Sequence, residues 1–307
     1  MRQNGTDRYI IGIDIGGTNI RMGAVTERLQ VAHSIQGNSR ALLDTGDPLG
    51  ALAGMIGDFI AQISGRPAGI CIGFPGAVAK DKATVLSCPN IPLFDGIDIR
   101  APLEAEFQVP VIAEHDVVFL LCNDMQRLGL FHSACVIAVY AGTGIGNALY
   151  VNGSFLDGKN GVAGELGHIP VFGSSALCPC GKRGCLEAHT CGNRLVQLQK
   201  EHFPEVTDLE ALFRDHRDHP ALVDFLEYLA VAVAIEINIF DPDVVLLGGG
   251  VINMRHFPYD DLLRRIRAHV RRPYPLQDLN LQRSPVDPVQ GIRGAGIYFW
   301  NKEQKHD

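Results

Sequence analysis

The chain has 307 residues, enough for two domains or one divided by a cleft, and its 46% hydrophobic and 20% charged residues match a folded globular protein and exclude a disordered one. A formal charge of -7, from 27 basic and 34 acidic residues, argues against nucleic acid as a main partner, since basic runs stop at Arg264-Arg265 and Arg271-Arg272. The polar start MRQNGTDRYI lacks the apolar core of a secretory signal, and no apolar run reaches the roughly 20 residues that span a bilayer; the expected location is cytoplasmic, with no membrane partner.

In chain order, YIIGIDIGG reads as a buried strand ending in a glycine turn, and IRMGAV and the stretch after Gln30 read as two more strands of a meander. Leu49, Leu52, Ile56, Phe59, Ile60 and Ile63 recur at helical spacing behind Pro48, which suits a first helical turn. GICIGF is a strand, and VPVIAEHD passes into the helix DVVFLLCNDMQRLGL with Asp116 where an N-cap is wanted. The pattern then partly repeats, as ACVIAVY, GTGIG and NALYVNG, which predicts a second, related domain. A loop-rich stretch from Gly153 to Gly184 precedes the helices LEAHTCGNRLVQLQKEH, DFLEYLAVAVAIEINIF and YDDLLRRIRAHV, with strand VVLLGGG between the last two. A final helix, GIRGAGIYFWNKE, is expected to pack back on the first domain, giving an α/β protein with residues 1–115 plus 290–307 in one domain and 116–289 in the other.

Three glycine turns carry candidate chemistry. In IDIGGTN, Asp14 stands at a strand end and Gly16-Gly17 can turn backbone N–H groups toward an anion beside the Thr18 hydroxyl, although a plain hairpin turn reads the same way. Gly142, Thr143 and Gly144 repeat that logic, and Gly248-Gly249-Gly250 after VVLL could let an adenine or ribose approach the backbone. Asp14 suits Mg2+, which binds few carboxylates and keeps much of its water. The segment GSFLDGK matches P-loop spacing, but Asn160 stands where a Ser or Thr is needed and no periodic helix follows.

His168, Cys178, Cys180 and Cys185 offer four N/S ligands for a tetrahedral, structural zinc, with Cys191 as a spare ligand and buried thiols as the alternative. Asp116, at a strand-to-helix junction, is the candidate catalytic base, and an ordinary helix cap is its alternative. Glu165, Glu187 and Asn90 could hydrogen-bond hydroxyls of a ligand, or be solvated acids and a turn residue.

Taken together, IDIGGTN, GFPGAV, CPN, GTGIG, GVAGELGH, CPCGKRGCLE and DVVLLGGGV, in that order from Tyr9 to about Asn253, resemble the ROK family of sugar kinases. The resemblance implies a two-domain actin-like ATPase (ribonuclease H-like) fold with a cleft between domains, often dimeric, and an ATP- and Mg2+-dependent phosphotransfer to the 6-hydroxyl of a hexose. It implies phosphate loops at Asp14, Gly16, Gly17, Thr18 and at Gly142, Thr143, Gly144, a base at Asp116, zinc at His168, Cys178, Cys180 and Cys185, and sugar contacts at Asn90, Glu165, His168 and Glu187. His115 replaces the Asn usual in the family's glucokinases, which resembles a contact near the sugar 3-hydroxyl. GFPGAVAKDKATVLSCPNIPL, GVAGELGHIP and INIFDPDVVLLGGGVIN most resemble the members that phosphorylate D-allose, so D-allose is the expected acceptor ahead of glucose, fructose and N-acetylmannosamine. The family also holds sugar-sensing transcriptional regulators, but the residues before Tyr9 are too few for a helix-turn-helix.

Overall fold

The computed structural model describes residues 8–43 and 45–304, and the side chains of Arg40 and Leu42 are left aside. The N-terminal MRQNGTD and the last three residues of the expected first domain lie outside the described residues. Among the described residues the chain forms two compact units, with 8–129, 157–163 and 287–304 in the first and 130–156 with 164–286 in the second.

In the first unit, β1 (Tyr9–Ile15), β2 (Asn19–Thr26) and β3 (Val31–Asn38) form the expected antiparallel meander. Helices α1 (Ser39–Leu43) and α2 (Pro48–Ala61) follow, and the Asp47 side chain caps α2 by accepting from Gly50 N at 2.8 Å. Strand β4 (Gly69–Phe74) pairs parallel with β1. A small antiparallel sheet of β5 (Ala77–Val78), β6 (Thr84–Ser87) and β7 (Ile97–Asp98) leads into α3 (Arg100–Phe107) and β8 (Val111–His115), which joins β4 in parallel. The main sheet runs β3-β2-β1-β4-β8. Helix α4 (Asp116–Leu128) ends at Gly129, whose φ of 69° gives the left-handed cap that a side chain resists.

The second unit repeats this plan. Strands β9 (Cys135–Ala141), β10 (Ile145–Val151) and β11 (Ser154–Phe155) make a second meander. Helices α5 (Gly192–His202), α6 (Leu209–Asp215) and α7 (Pro220–Phe240) precede β12 (Val244–Gly248), parallel to β9. Then come α8 (Tyr259–His269) and β13 (Leu281–Arg283), completing the order β11-β10-β9-β12-β13. Ile137 and Val139 of β9 share one core with Leu226, Leu229 and Val233 of α7 and with Leu262 and Ile266 of α8. Glu236 interrupts the apolar run of α7 because it is buried and paired: Asn147 Nδ2 donates to it at 2.8 Å, and burial pushes its carboxyl up to about 8.

The last helix, α9 (Gln290–Glu303), belongs to the first unit. The alternation of YIIGIDI explains how that sheet is covered on both faces. Ile11, Ile13 and Ile15 pack with Leu52, Ile56 and Phe59 of α2 and Leu103 of α3, whereas Ile10 packs with Phe119 of α4 and Ile292, Ala295 and Phe299 of α9. Helices α4 and α9 touch through Gly294, where a Cβ would land on the Phe119 carbonyl. This packing puts α4 in the first unit, so residues 116–129 do not open the second as the sequence suggested, and residues 157–163 join the first as well.

Local boundaries shift for physical reasons. His115 is the residue before α4, and Asp116 is the first helical residue, its Oδ1 accepting from Val117 N at 2.8 Å. Helix α5 starts at Gly192 and not at Leu186, because Cys191 is extended and its sulfur accepts from Arg194 N, leaving Leu186–Ala188 as a separate 3-10 turn. Among the described residues no helix is long and apolar enough to cross a membrane.

Candidate active site

In the first unit the candidate residues collect at the carboxyl ends of the parallel strands β1, β4 and β8, the edge where open α/β sheets place ligands. Asp14, Gly73 and Glu114 lie side by side in register, and Asp116 follows two residues after Glu114. Gly73 leaves room at this point, since a Cβ there would come within 3.1 Å of Asp116 Cα. Asp14 sits opposite Arg21 on β2, with the guanidinium 3.6 Å from its carboxylate. Burial raises the Asp14 carboxyl above its ordinary range, and Arg21 opposes that rise. Burial also pushes Asp116 up to about 8, the charge of Asp14 adds to the push, and the Val117 N–H works against it. The two recessed carboxyls feel each other and hold their protons more tightly for it, and once ionised they are hard oxygen donors of the kind Mg2+ accepts.

The loop after β1 turns tightly, Gly16 N donating to Asn19 O at 2.8 Å, and leaves Thr18 exposed. Asn90 lies over this loop, its Nδ2 3.0 Å from where a Gly17 Cβ would be. His115 is only partly buried, but its Nε2 is 2.8 Å from the Gly161 carbonyl and so serves as a tie to the 157–163 segment.

In the second unit, Gly142–Gly144 and Gly248–Gly250 follow the paired strands β9 and β12, again at the carboxyl edge. Gly249 has a φ of 92° and a Cβ there would be 2.5 Å from the Ala141 carbonyl, so the triple-glycine turn needs glycine at that position. The first turn of α5 holds the other loop: Gly192 N donates to Gly142 O at 2.7 Å and Asn193 N to Thr143 O at 3.1 Å. Glu187 supports it as well, accepting from Ile145 N at 2.8 Å and lying against Gly144.

His168, Cys178, Cys180 and Cys185 present ligand atoms that all lie within 4.8 Å of one another. Cys178 Sγ is 3.7 Å from His168 Nδ1, and Cys180 Sγ is 3.7 Å from Cys185 Sγ. Bonds of about 2.3 Å to a tetrahedral zinc give edges of about 3.8 Å between sulfurs, so the donor set fits that ion and could hold it with no open position. His168 faces two ways: Nδ1 points to the thiols while Nε2 is 3.5 Å from Glu165. Cys191 stands apart from this cluster, capping α5 within the apolar core.

The ROK family model matches residues 10–302. The chain belongs to the ROK family. Among similar proteins, a glucokinase of Thermotoga maritima is 28% identical over 93% of this chain and 95% of its own length. An N-acetyl-D-glucosamine kinase of Vibrio parahaemolyticus is 30% identical over 84% of this chain and 89% of its own. The crystal structure of a ROK family glucokinase from Streptomyces griseus in complex with glucose and AMPPNP is 25% identical, with a TM-score of 0.76 over 94% of this chain and 98% of that one. Two actin-like, ribonuclease H-like α/β units are therefore the architecture of this ROK chain, in agreement with the sequence reading.

Within the first unit of the ROK chain, the structure brings Asp14, Asn90, His115 and Asp116 to one sheet edge, and within the second it brings Glu165 to His168 and Glu187 to Gly144. Sequence reading missed an ion cluster of buried Lys82 and Glu114 with the half-buried Asp157. Lys82 Nζ is 2.8 Å from Glu114 and 2.6 Å from Asp157. The only cue was Glu114 directly after the apolar run VPVIA, and neither it nor Lys82 in AKDKAT gives a spacing that pairs it with Asp157. Arg21, too, was invisible as a partner of Asp14 until β1 and β2 were in register.

Proposed function

We propose that this ROK chain is an ATP-dependent hexose kinase that transfers the γ-phosphoryl group to a sugar 6-hydroxyl, with D-allose as the first-choice acceptor. The observation that carries the kinase reading is the corner formed by Asp14 and Asp116 at the ends of β1 and β8, beside the Gly16-Gly17 turn. A base poised near neutral pH by burial and a neighbouring carboxylate suits the removal of a proton from an alcohol. Within the first unit, Asp116 orients the hydroxyl and takes its proton, and Asn90 is a sugar-binding group; within the second, Glu165, His168 and Glu187 are the sugar-binding groups. Within the first unit, backbone N–H groups of Gly16 and Gly17 and the Thr18 hydroxyl are phosphate-binding groups; within the second, Gly142, Thr143 and Gly144 take the same role and Gly248–Gly250 take the nucleoside. Asp14 would hold Mg2+ carried with ATP, and that ion would supply charge neutralisation for the transfer. His168, Cys178, Cys180 and Cys185 would hold a zinc that fixes the loop, and His168, 3.5 Å from Glu165 through Nε2, would then orient that carboxylate.

Positioning dominates such a reaction because its transition state is loose and needs alignment more than covalent help. His115 in place of Asn favours an acceptor that differs from glucose at carbon 3, and this supports D-allose. A cytoplasmic homodimer is the assembly that accompanies the reading. The test is ADP release with D-allose, glucose, mannose, fructose, N-acetylmannosamine and N-acetylglucosamine, compared as kcat/KM. D-allose is expected to lead. Glucose or N-acetylglucosamine leading overturns the substrate, and no sugar-dependent ADP release at all overturns the kinase.

A further inference from the structure

Lys82 is an uncommon residue in an uncommon place: it is 7% exposed and has a φ of 58°, a left-handed conformation that lysine adopts at a cost. Its ammonium bridges two carboxylates from distant parts of the first unit, Glu114 at the end of β8, which is fully buried, and Asp157 at the start of the 157–163 segment. Glu114 also accepts from His115 N at 2.9 Å, so the same carboxylate that binds Lys82 holds the backbone just before Asp116. The segment is gripped along its length. Lys80 N donates to Asn160 O at 3.2 Å, and His115 Nε2 bonds Gly161 O at 2.8 Å. Gly161 has a φ of 92° and lies so close that a Cβ would be 2.5 Å from Lys80 N. Two residues beyond the end of this segment comes Glu165.

An unpaired lysine or glutamate in such a place would be costly, and a buried charge is retained where it sets one geometry against others. We propose that Lys82, Glu114 and Asp157 are positioning residues for the acceptor sugar, clamping residues 157–163 to the strand end that carries Asp116. His115 belongs to this clamp through its bond to Gly161, so it shapes the sugar end of the site by holding backbone. The inference rests on the hexose kinase reading and adds to it residues that touch neither sugar nor nucleotide.

The test is Asp157→Asn in the full chain. This substitution keeps the Lys82–Glu114 pair intact and so preserves the fold, whereas Lys82→Met would strand a buried carboxylate. Loss of a charge-assisted bond is expected to raise the sugar KM about tenfold while the KM for ATP stays within about twofold. Amide hydrogen exchange across residues 157–163 is expected to quicken about tenfold in the variant, with other segments of the unit unchanged. Asp157→Glu, which keeps the charge, should recover part of both effects. Equal changes in the two KM values, or exchange no faster than in the wild type, overturn the proposal. A wild-type chain inert to every sugar overturns the kinase reading and the sugar role with it, and the exchange comparison still decides whether the clamp exists.

Discussion

Replacing Asp116 by Asn should uncouple activity from stability in opposite directions. The carboxyl is held at about 8 in the folded chain against an ordinary 3.8. Its native pKa therefore lies above its unfolded one, and its contribution to stability is complete below the unfolded value and lost as pH rises through about 8. Each pKa unit is worth about 1.4 kcal/mol, so a shift of about four units sets an upper bound of about 5–6 kcal/mol on the alkaline penalty. Asn removes the charge and keeps an oxygen for the Val117 N–H, but must still be buried, so we expect it to recover about 1–3 kcal/mol at pH 8.5 and almost nothing at pH 4. Over domains of this size that gain is about 2–4 °C in Tm per kcal/mol. Turnover should meanwhile fall at least about 10²-fold, with ATP binding retained. The assay pairs thermal melts between pH 4 and 8.5 with steady-state kinetics of both proteins. Melting curves that run parallel across the whole range would show that the carboxylate is not desolvated, and a kcat within tenfold of wild type would remove Asp116 from the role of base.

Gly294→Ala places a methyl against the Phe119 carbonyl at the α4–α9 contact, and should cost about 1–3 kcal/mol in urea denaturation as overpacking does. Gly54→Ala, on the exposed side of α2 with nothing near its would-be Cβ, should instead stabilise by about 0.4–1 kcal/mol, and equal effects at the two positions would contradict the packing argument. For the metal, elemental analysis should find about one zinc per wild-type chain. Cys185→Ser should lose it and melt at lower temperature, while Cys191→Ser should keep it; undiminished zinc in Cys185→Ser would rule out the proposed ligand set.

Much of this architecture was legible in one dimension because the signals are local. The alternation in YIIGIDI and ACVIAVY marks strands, the glycines after them mark turns, and the short spacing from Cys178 to Cys185 holds three thiols near one another in any compact fold. The repeat of strand, glycine turn and strand likewise announced the second unit, and the observed sheets share one strand order. Boundaries were less legible. Whether a helix begins at Leu186 or Gly192 depends on a single cap sulfur, and periodicity carries no information about caps of that kind.

What the amino-acid order determined on its own was therefore the set of elements and the residue types at their ends: Asp14 and Asp116 at strand termini, glycines beside them, and a Cys3His cluster. Only the tertiary structure decided which unit owns α4, that His115 spends its Nε2 on the Gly161 carbonyl, and that buried Lys82 and Glu114 meet the half-buried Asp157. The physical reason is separation along the chain. Lys82 and Asp157 are 75 residues apart, and a pairing over that distance is set by how sheets and helices pack, long after local propensity has had its say.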